Sequence, residues 1–216
     1  MTAVDVAARI AEVRERIARA GGIGVSLIAV TKAFGHDAWD AARDAGCDGI
    51  GENYAQELIG KNAVGKSAVP VHFIGHVQTN KVKSLIDIVD VWQSIDRASV
   101  IDEIAKRATA FAPRVFVQVN TSGEESKSGC APGELDELVL RCRDRGLVLD
   151  GLMTIGPTSG EAQPTREAFR MLRRLVDEHG LAQCSMGMSG DLEIAVEEGS
   201  TMVRVGSALF GSRQRP

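Results

Sequence analysis

Three stretches of the chain carry residue types that could do chemistry. The first is LIAVTK (27–32), an apolar run that ends on Lys32. An amine at the end of a buried run emerges into partly dry surroundings. Desolvation and nearby cations there lower its pKa and free a neutral nucleophile for an aldehyde. A lysine whose stem lies on apolar surface while its charge reaches water would fit the same position. The second stretch is TMVRVG (201–206). Side chains alternate along a strand, so if Val203 and Val205 face one way, Met202, Arg204 and Gly206 face the other. A guanidinium on an inner face cannot stay unpaired, because burying an uncompensated charge is expensive. It calls for a carboxylate, with Glu193, Asp191 and Glu52 as candidates, or for an acceptor on a ligand. The third feature is a pair of short segments, Met188-Ser189-Gly190 and Gly206-Ser207, each expected to open a helix. Backbone N–H groups at a helix start, with a hydroxyl and a glycine that permits close approach, form an anion site.

The elements that must position these groups follow from periodicity. Short apolar runs lie at 25–31, 48–51, 71–75, 91–95, 114–120, 149–155, 183–188 and 201–206. Helical patterns lie between them at roughly 36–46, 53–61, 79–87, 97–110, 133–146, 164–179 and 190–199, and an extra helix at about 3–20 precedes the first run. Several runs are apolar at consecutive positions, as parallel strands covered on both faces require. Strict β-α alternation implies a parallel sheet with right-handed crossovers, doubly wound or closed. Eight repeats in 216 residues predict an α/β fold of the (β/α)8 TIM barrel type, with residues 1–216 forming a single domain and the N-terminal helix as an addition. A doubly wound sheet is the alternative.

Reacting groups of such barrels stand at the C-terminal ends of strands. Those positions here carry Thr31, Lys32, Glu52, Asn53, His76, Ser94, Asp96, Asn120, Met153, Thr154, Ser189, Gly206 and Ser207, which form a polar ring on one rim. Ser94, Asp96 and Ser189 also stand where helix N-caps belong. Phosphate bound by the loops after strands 7 and 8 recurs in this fold. An aldehyde-reactive lysine, an inward arginine and a phosphate cup together suggest pyridoxal 5′-phosphate.

Two patterns mislead. GKNAVGKS (60–67) matches a phosphate-loop motif literally, but that loop needs a strand before it and a helix after it. Here a helical pattern precedes and a strand follows, so a helix C-terminus at Gly60 and a basic surface turn are expected instead. His72 and His76 straddle a strand, which sets their Cα atoms ~13 Å apart, too far for one metal ion. Composition narrows the class further. With 25 Lys+Arg against 29 Asp+Glu the net charge is −4, so the bulk positive field of a nucleic-acid binder is missing. No apolar run approaches the roughly 20 residues of a membrane span, and the N-terminus has no signal-peptide core. A cytoplasmic protein is expected. Cys47, Cys130, Cys142 and Cys184 form no C-x-x-C pair and read as reduced structural thiols.

Seven segments, in order, resemble one family. They are LIAVTK (27–32), GENYAQE (51–57), HFIGHVQTNK (72–81), QSIDR (93–97), NTSGEESKSG (120–129), GLMTIG (151–156) and GMSGDLEIAVEEGSTMVRVGSALFG (187–211). They resemble the YggS/PROSC family of pyridoxal phosphate homeostasis proteins across nearly the whole chain. The resemblance implies a barrel like the N-terminal domain of alanine racemase that carries the cofactor as an internal aldimine. It implies Lys32 as the Schiff-base lysine and Arg204 near the pyridine nitrogen. Ser189, Gly206 and Ser207 would hold the phosphate, with Asn53 beside the ring. The chain departs from the family pattern at Phe34-Gly35-His36, His76-Val77 and Ser207.

An arginine facing the ring nitrogen disfavours its protonation and weakens the electron sink. Alanine racemases take a second base, a tyrosine, from an additional domain of the partner subunit. The single tyrosine here is Tyr54, and five residues follow Gly211, so no such base is expected. The leading expectation is a monomeric carrier or buffer of pyridoxal phosphate, with PLP-dependent apoenzymes as recipients and neither nucleic acid nor membrane as partner. No catalytic residue and no metal ligand is assigned. The alternatives are a weak PLP-dependent amino-acid racemase and a Schiff-base aldolase that works through Lys32 without the cofactor. Loop 121–129, rich in Gly, Ser and charge, is expected to move over the rim.

Overall fold

The computed structural model describes residues 3–108 and 111–211. Helix α1 (Ala3–Arg19) leads into an alternation of strand and helix that repeats to the end of the described chain: β1 (Ser26–Val30), α2 (Asp37–Asp44), β2 (Gly49–Glu52), α3 (Ala55–Val64), β3 (Val71–Phe73), α4 (Thr79–Leu85), β4 (Val91–Ile95), α5 (Ala98–Arg107), β5 (Arg114–Gln118), α6 (Leu135–Asp144), β6 (Val148–Met153), α7 (Ala162–Glu178), β7 (Gln183–Ser185), α8 (Leu192–Glu197), β8 (Met202–Val205) and α9 (Ser207–Phe210). Each strand pairs in parallel with the next. β8 returns to β1 with Ser26 opposite Met202 and Ile28 opposite Arg204, so the sheet closes as an eight-stranded barrel and the doubly wound alternative is excluded.

The strand pleat sorts side chains into two layers. Leu27, Ala29, Val203 and Val205 pack outward against the helices. Ile28, Val91, Phe116, Met153 and Met202 fill the barrel axis, and Arg204 stands on that inner side. On α1, Val6, Ile10, Val13 and Ile17 recur at helical spacing and form its buried stripe. None of the described helices is long and apolar enough to cross a membrane.

Several expected bounds shift for physical reasons. The runs at 71–75 and 183–188 extend past strands β3 and β7 because ladder-like bonding continues there: Ile74 N–H donates to Glu52 O at 2.8 Å and Met186 N–H to Met202 O at 3.1 Å. Helix α3 does not stop at Gly60. It runs on to Val64, and Lys61, expected on a basic surface turn, is only 5% exposed. The end of the helix expected at 97–110 reaches positions 109–110, which lie outside the described residues, as do 1–2 and 212–216 of the expected domain. The four cysteines are buried and free. Burial pushes the Cys47 thiol up to about 11 and those of Cys130, Cys142 and Cys184 up to about 12, so they are poor nucleophiles at neutral pH.

Candidate functional site

The C-terminal mouth of the barrel holds a cavity of about 370 Å³. Lys32, Asn53, Ser189, Arg204, Gly206 and Ser207 all line it. They come from four of the β-α loops and one strand, and Val30, Ile74, Met153 and Ile155 supply apolar wall between them. The result is an apolar slot with polar groups at separated points, the usual make-up of a small-molecule site.

Lys32 lies in the turn that leaves β1. Arg204 is the buried cation of the inner face, 4% exposed. None of its expected carboxylate partners reaches it: Glu193 binds Arg16 at 2.6 Å, Glu52 binds Lys61, and Asp191 Oδ1 accepts the Met188 N–H at 2.5 Å. Instead Arg204 Nη1 donates to Ser185 Oγ at 2.6 Å and Nη2 to the Thr154 carbonyl at 2.7 Å. Burial lowers the guanidinium to about 10, against a smaller opposing effect of the Asp191 charge. It therefore remains a cation at neutral pH, and its hydrogen bonds go to neutral acceptors.

Below Arg204 a one-way chain of hydrogen bonds descends the barrel axis. Ser185 accepts from a guanidinium, which can only donate, so its own hydroxyl donates to Gln93 Oε1 at 2.7 Å. The Gln93 amide nitrogen then faces His72 Nδ1 at 2.6 Å, and that ring nitrogen accepts. Burial, together with the charges of Arg114 and Arg204, pushes His72 down to about 4. This matches the neutral, accepting ring that the chain requires.

Elsewhere on the wall, Asn53 Oδ1 is buried and has no hydrogen-bond partner among the described residues. Its backbone is pinned from behind by Gly75, where a Cβ would fall 2.0 Å from the Asn53 carbonyl oxygen. Ser189 lies in the turn before α8, not at the opening of that helix. Its Oγ accepts the Ala208 N–H at 3.2 Å, so it caps the first turn of α9. The two anion-type loops are thereby tied together, and α1 braces both. Arg16 binds Glu193 and donates to the Ser189 carbonyl at 3.2 Å, while Arg9 donates to the Leu209 carbonyl at 3.1 Å.

The rest of the expected rim divides. Thr31 and Glu52 are buried between the barrel and helices α2 and α3 rather than facing the mouth. Among the described residues Ser94 and Asp96 cap no helix: Ser94 Oγ donates to the Gly75 carbonyl, and Asp96 lies 2.5 Å from Arg97 and 3.5 Å from His76. Asn120 organises its own loop, accepting the Gly123 N–H at 3.1 Å and donating to the Glu124 carbonyl at 2.9 Å. Loop 121–129 makes two bonds to the segment that follows β6. Glu124 accepts the Thr158 N–H at 2.8 Å and Lys127 donates to the Gly156 carbonyl. Sequence reasoning missed Ser185, Gln93 and Lys61. Gln93 was findable, since it stands two residues from the inward Val91, and Lys61 follows the buried Leu58 by three on one helix face.

Comparison with known proteins agrees with this architecture. The family described as "Alanine racemase, N-terminal domain" matches residues 4–214. A pyridoxal phosphate homeostasis protein of Pseudomonas aeruginosa is 41% identical, over 96% of this chain and 93% of its own. The structure of PipY from Synechococcus elongatus with PLP bound superposes with a TM-score of 0.84 at 29% identity, covering 95% of this chain and all of that one (100%). Alanine racemase of Clostridium difficile shares the fold, with a TM-score of 0.75 at 16% identity, over 94% of this chain and 56% of its own.

Proposed function

The chain belongs to the family of pyridoxal phosphate homeostasis proteins, and on that premise we propose that it binds pyridoxal 5′-phosphate reversibly in the mouth cavity and carries or buffers it in vitamin B6 and amino/keto acid balance. One observation carries the reading: a lysine, a buried arginine bonded to neutral groups, and an asparagine line one cavity of about 370 Å³. The cofactor supplies an aldehyde that a lysine amine can capture reversibly.

The residues present fit such a group. Lys32 provides the amine for covalent attachment. Arg204 offers a positive charge, bonded by the protein to neutral acceptors, to the ring edge or its substituents. Asn53 lines the same cavity. Ser189, Gly206 and Ser207 surround the expected phosphate position, and Ser207 is exposed, so that end of the pocket communicates with solvent. Residues 1–216 act as a single domain, in the cytoplasm and as a monomer, with PLP-dependent apoenzymes as recipients.

Lys32 and Arg204 are the titratable side chains on the cavity wall among the described residues. Tyr54 stands outside it, 53% exposed. Racemisation with bases on two faces therefore has one candidate base at the wall, which favours holding the cofactor over turning over amino acids. The test is to add pyridoxal phosphate to the purified protein. A visible absorbance band that disappears in Lys32→Ala supports the proposal, whereas no band, or a band that persists in the variant, contradicts it. Steady turnover of any member of an amino-acid panel would favour the racemase instead.

A further inference from the structure

Outside the pocket, behind Lys32, lies a buried ion cluster that the proposed function leaves unused. Lys61 Nζ donates to Glu52 Oε1 at 2.7 Å and to the Thr31 carbonyl at 2.8 Å, and stands 3.1 Å from Glu57 Oε1. The same Glu52 oxygen accepts from Thr31 Oγ1 at 2.6 Å and from Trp39 Nε1 at 2.9 Å. Past Lys32, the Ala33 N–H donates to Glu57 Oε1. Thr31 is thus held by its hydroxyl and its carbonyl, and Ala33 by its amide. Both chain neighbours of Lys32 are bound to one cluster.

Two features show that this arrangement costs free energy locally. Glu52 and Lys61 are 0% and 5% exposed, and Glu52 Oε2 has no hydrogen-bond partner among the described residues. Apolar side chains in place of a buried ion pair are often neutral or stabilising, so stability alone does not account for the pair. Ala33 has φ 68°, the one non-glycine residue in the left-handed region among the described residues. That conformation costs an L-residue roughly 1–2 kcal/mol and persists where the surroundings enforce it. Both costs fall within one residue of, or in contact with the neighbours of, the lysine at the mouth.

We propose that Glu52, Lys61 and Glu57 are positioning residues for Lys32. They fix the peptide groups on either side of it, so its amine is already aimed across the mouth when an aldehyde arrives. In the condensation the lysine nitrogen adds to the aldehyde carbon and one water leaves, and a preset amine speeds this step without contributing to phosphate binding. The proposal rests on the reading of Lys32 as the attachment point and adds which residues set its reactivity.

The test uses the full chain and two ligands: pyridoxal phosphate, whose attachment is read by visible absorbance and borohydride trapping, and pyridoxine 5′-phosphate, which lacks the aldehyde and reports non-covalent binding by calorimetry. Glu57 is 24% exposed at its side chain, so Glu57→Ala tests the Ala33 contact with little risk to folding. The double variant Glu52→Gln with Lys61→Met removes the charges together. Both are expected to slow attachment about tenfold while the pyridoxine 5′-phosphate Kd moves by less than about twofold, and Glu57→Gln, which keeps an acceptor for Ala33, is expected to attach like the wild type. Wild-type attachment rates in Glu57→Ala and in any folded double variant would overturn the proposal. So would a parallel loss of both ligands that tracks a fall in Tm, which would mark the cluster as structural. A wild type that binds pyridoxine 5′-phosphate yet never attaches pyridoxal phosphate would instead overturn the functional reading beneath it.

Discussion

Arg204 shows how much, and how little, a single position discloses. The alternation in TMVRVG places its side chain on the barrel axis, and the structure finds it there, 4% exposed. Its partners were not legible, because Ser185 and Thr154 arrive from other strands through a register that local sequence does not encode. Their neutrality leaves the guanidinium without a hydrogen-bonded carboxylate, the basis for its proposed role toward a ligand. Arg204→Ala should therefore weaken pyridoxal phosphate retention about tenfold or more, in keeping with the 1.5–3 kcal/mol typical of a charged hydrogen bond, and Ser207→Ala should weaken it less. Dialysis followed by absorbance measures both, and unchanged retention in the two variants would mean the pocket is wrongly assigned. His72, at the lower end of the axial chain, governs stability instead. An unfolded histidine takes its proton near 6.5, whereas folded His72 does so near 4. Between those values the unfolded state holds the extra proton, so stability falls as pH drops from about 6.5 to about 4, by at most about 3 kcal/mol. His72→Asn, which keeps an acceptor for Gln93 but does not titrate, should flatten this limb of a urea-midpoint profile. An equally steep limb in the variant would place its origin elsewhere.

At the scale of elements, the alternation of runs located the eight strands and helices α1 to α8, because a core-facing pattern is a local property. The misplaced end of α3 has a tertiary cause. A glycine inside a helix costs about 1 kcal/mol against alanine, yet packing of Leu58 and the bonds of Lys61 carry α3 through Gly60. The role of α1 was equally hidden. Its apolar stripe announces a packed helix, but nothing in the sequence says that Arg16 reaches Glu193 and the Ser189 carbonyl. That contact joins α1 to the loop proposed to hold the phosphate, so the extra helix braces one wall of the cavity as well as covering the barrel. Arg16→Ala should loosen pyridoxine 5′-phosphate binding severalfold with a small change in Tm, because a partly exposed pair contributes only about 1 kcal/mol. Calorimetry beside a thermal melt checks this. Unchanged affinity would confine α1 to packing.

For the molecule as a whole, closure of the sheet decides what the parts can do together. Lys32 and Arg204 lie 172 residues apart in sequence, and they share a cavity because β8 pairs with β1. Eight-fold alternation made closure the expected topology, while the doubly wound alternative could be set aside only by that pairing. The order of elements, by contrast, puts the literal phosphate-loop match at 60–67 at the end of α3 and in the segment after it, with strand β3 following rather than preceding. Everything proposed for this protein converges on one covalent contact between an aldehyde and one of its lysines. Borohydride reduction of the pyridoxal-phosphate-loaded protein, followed by peptide mass mapping, tests that contact most directly. The account predicts a single pyridoxyl adduct on Lys32, and an adduct on Lys81 or Lys127 with Lys32 unmodified would contradict it.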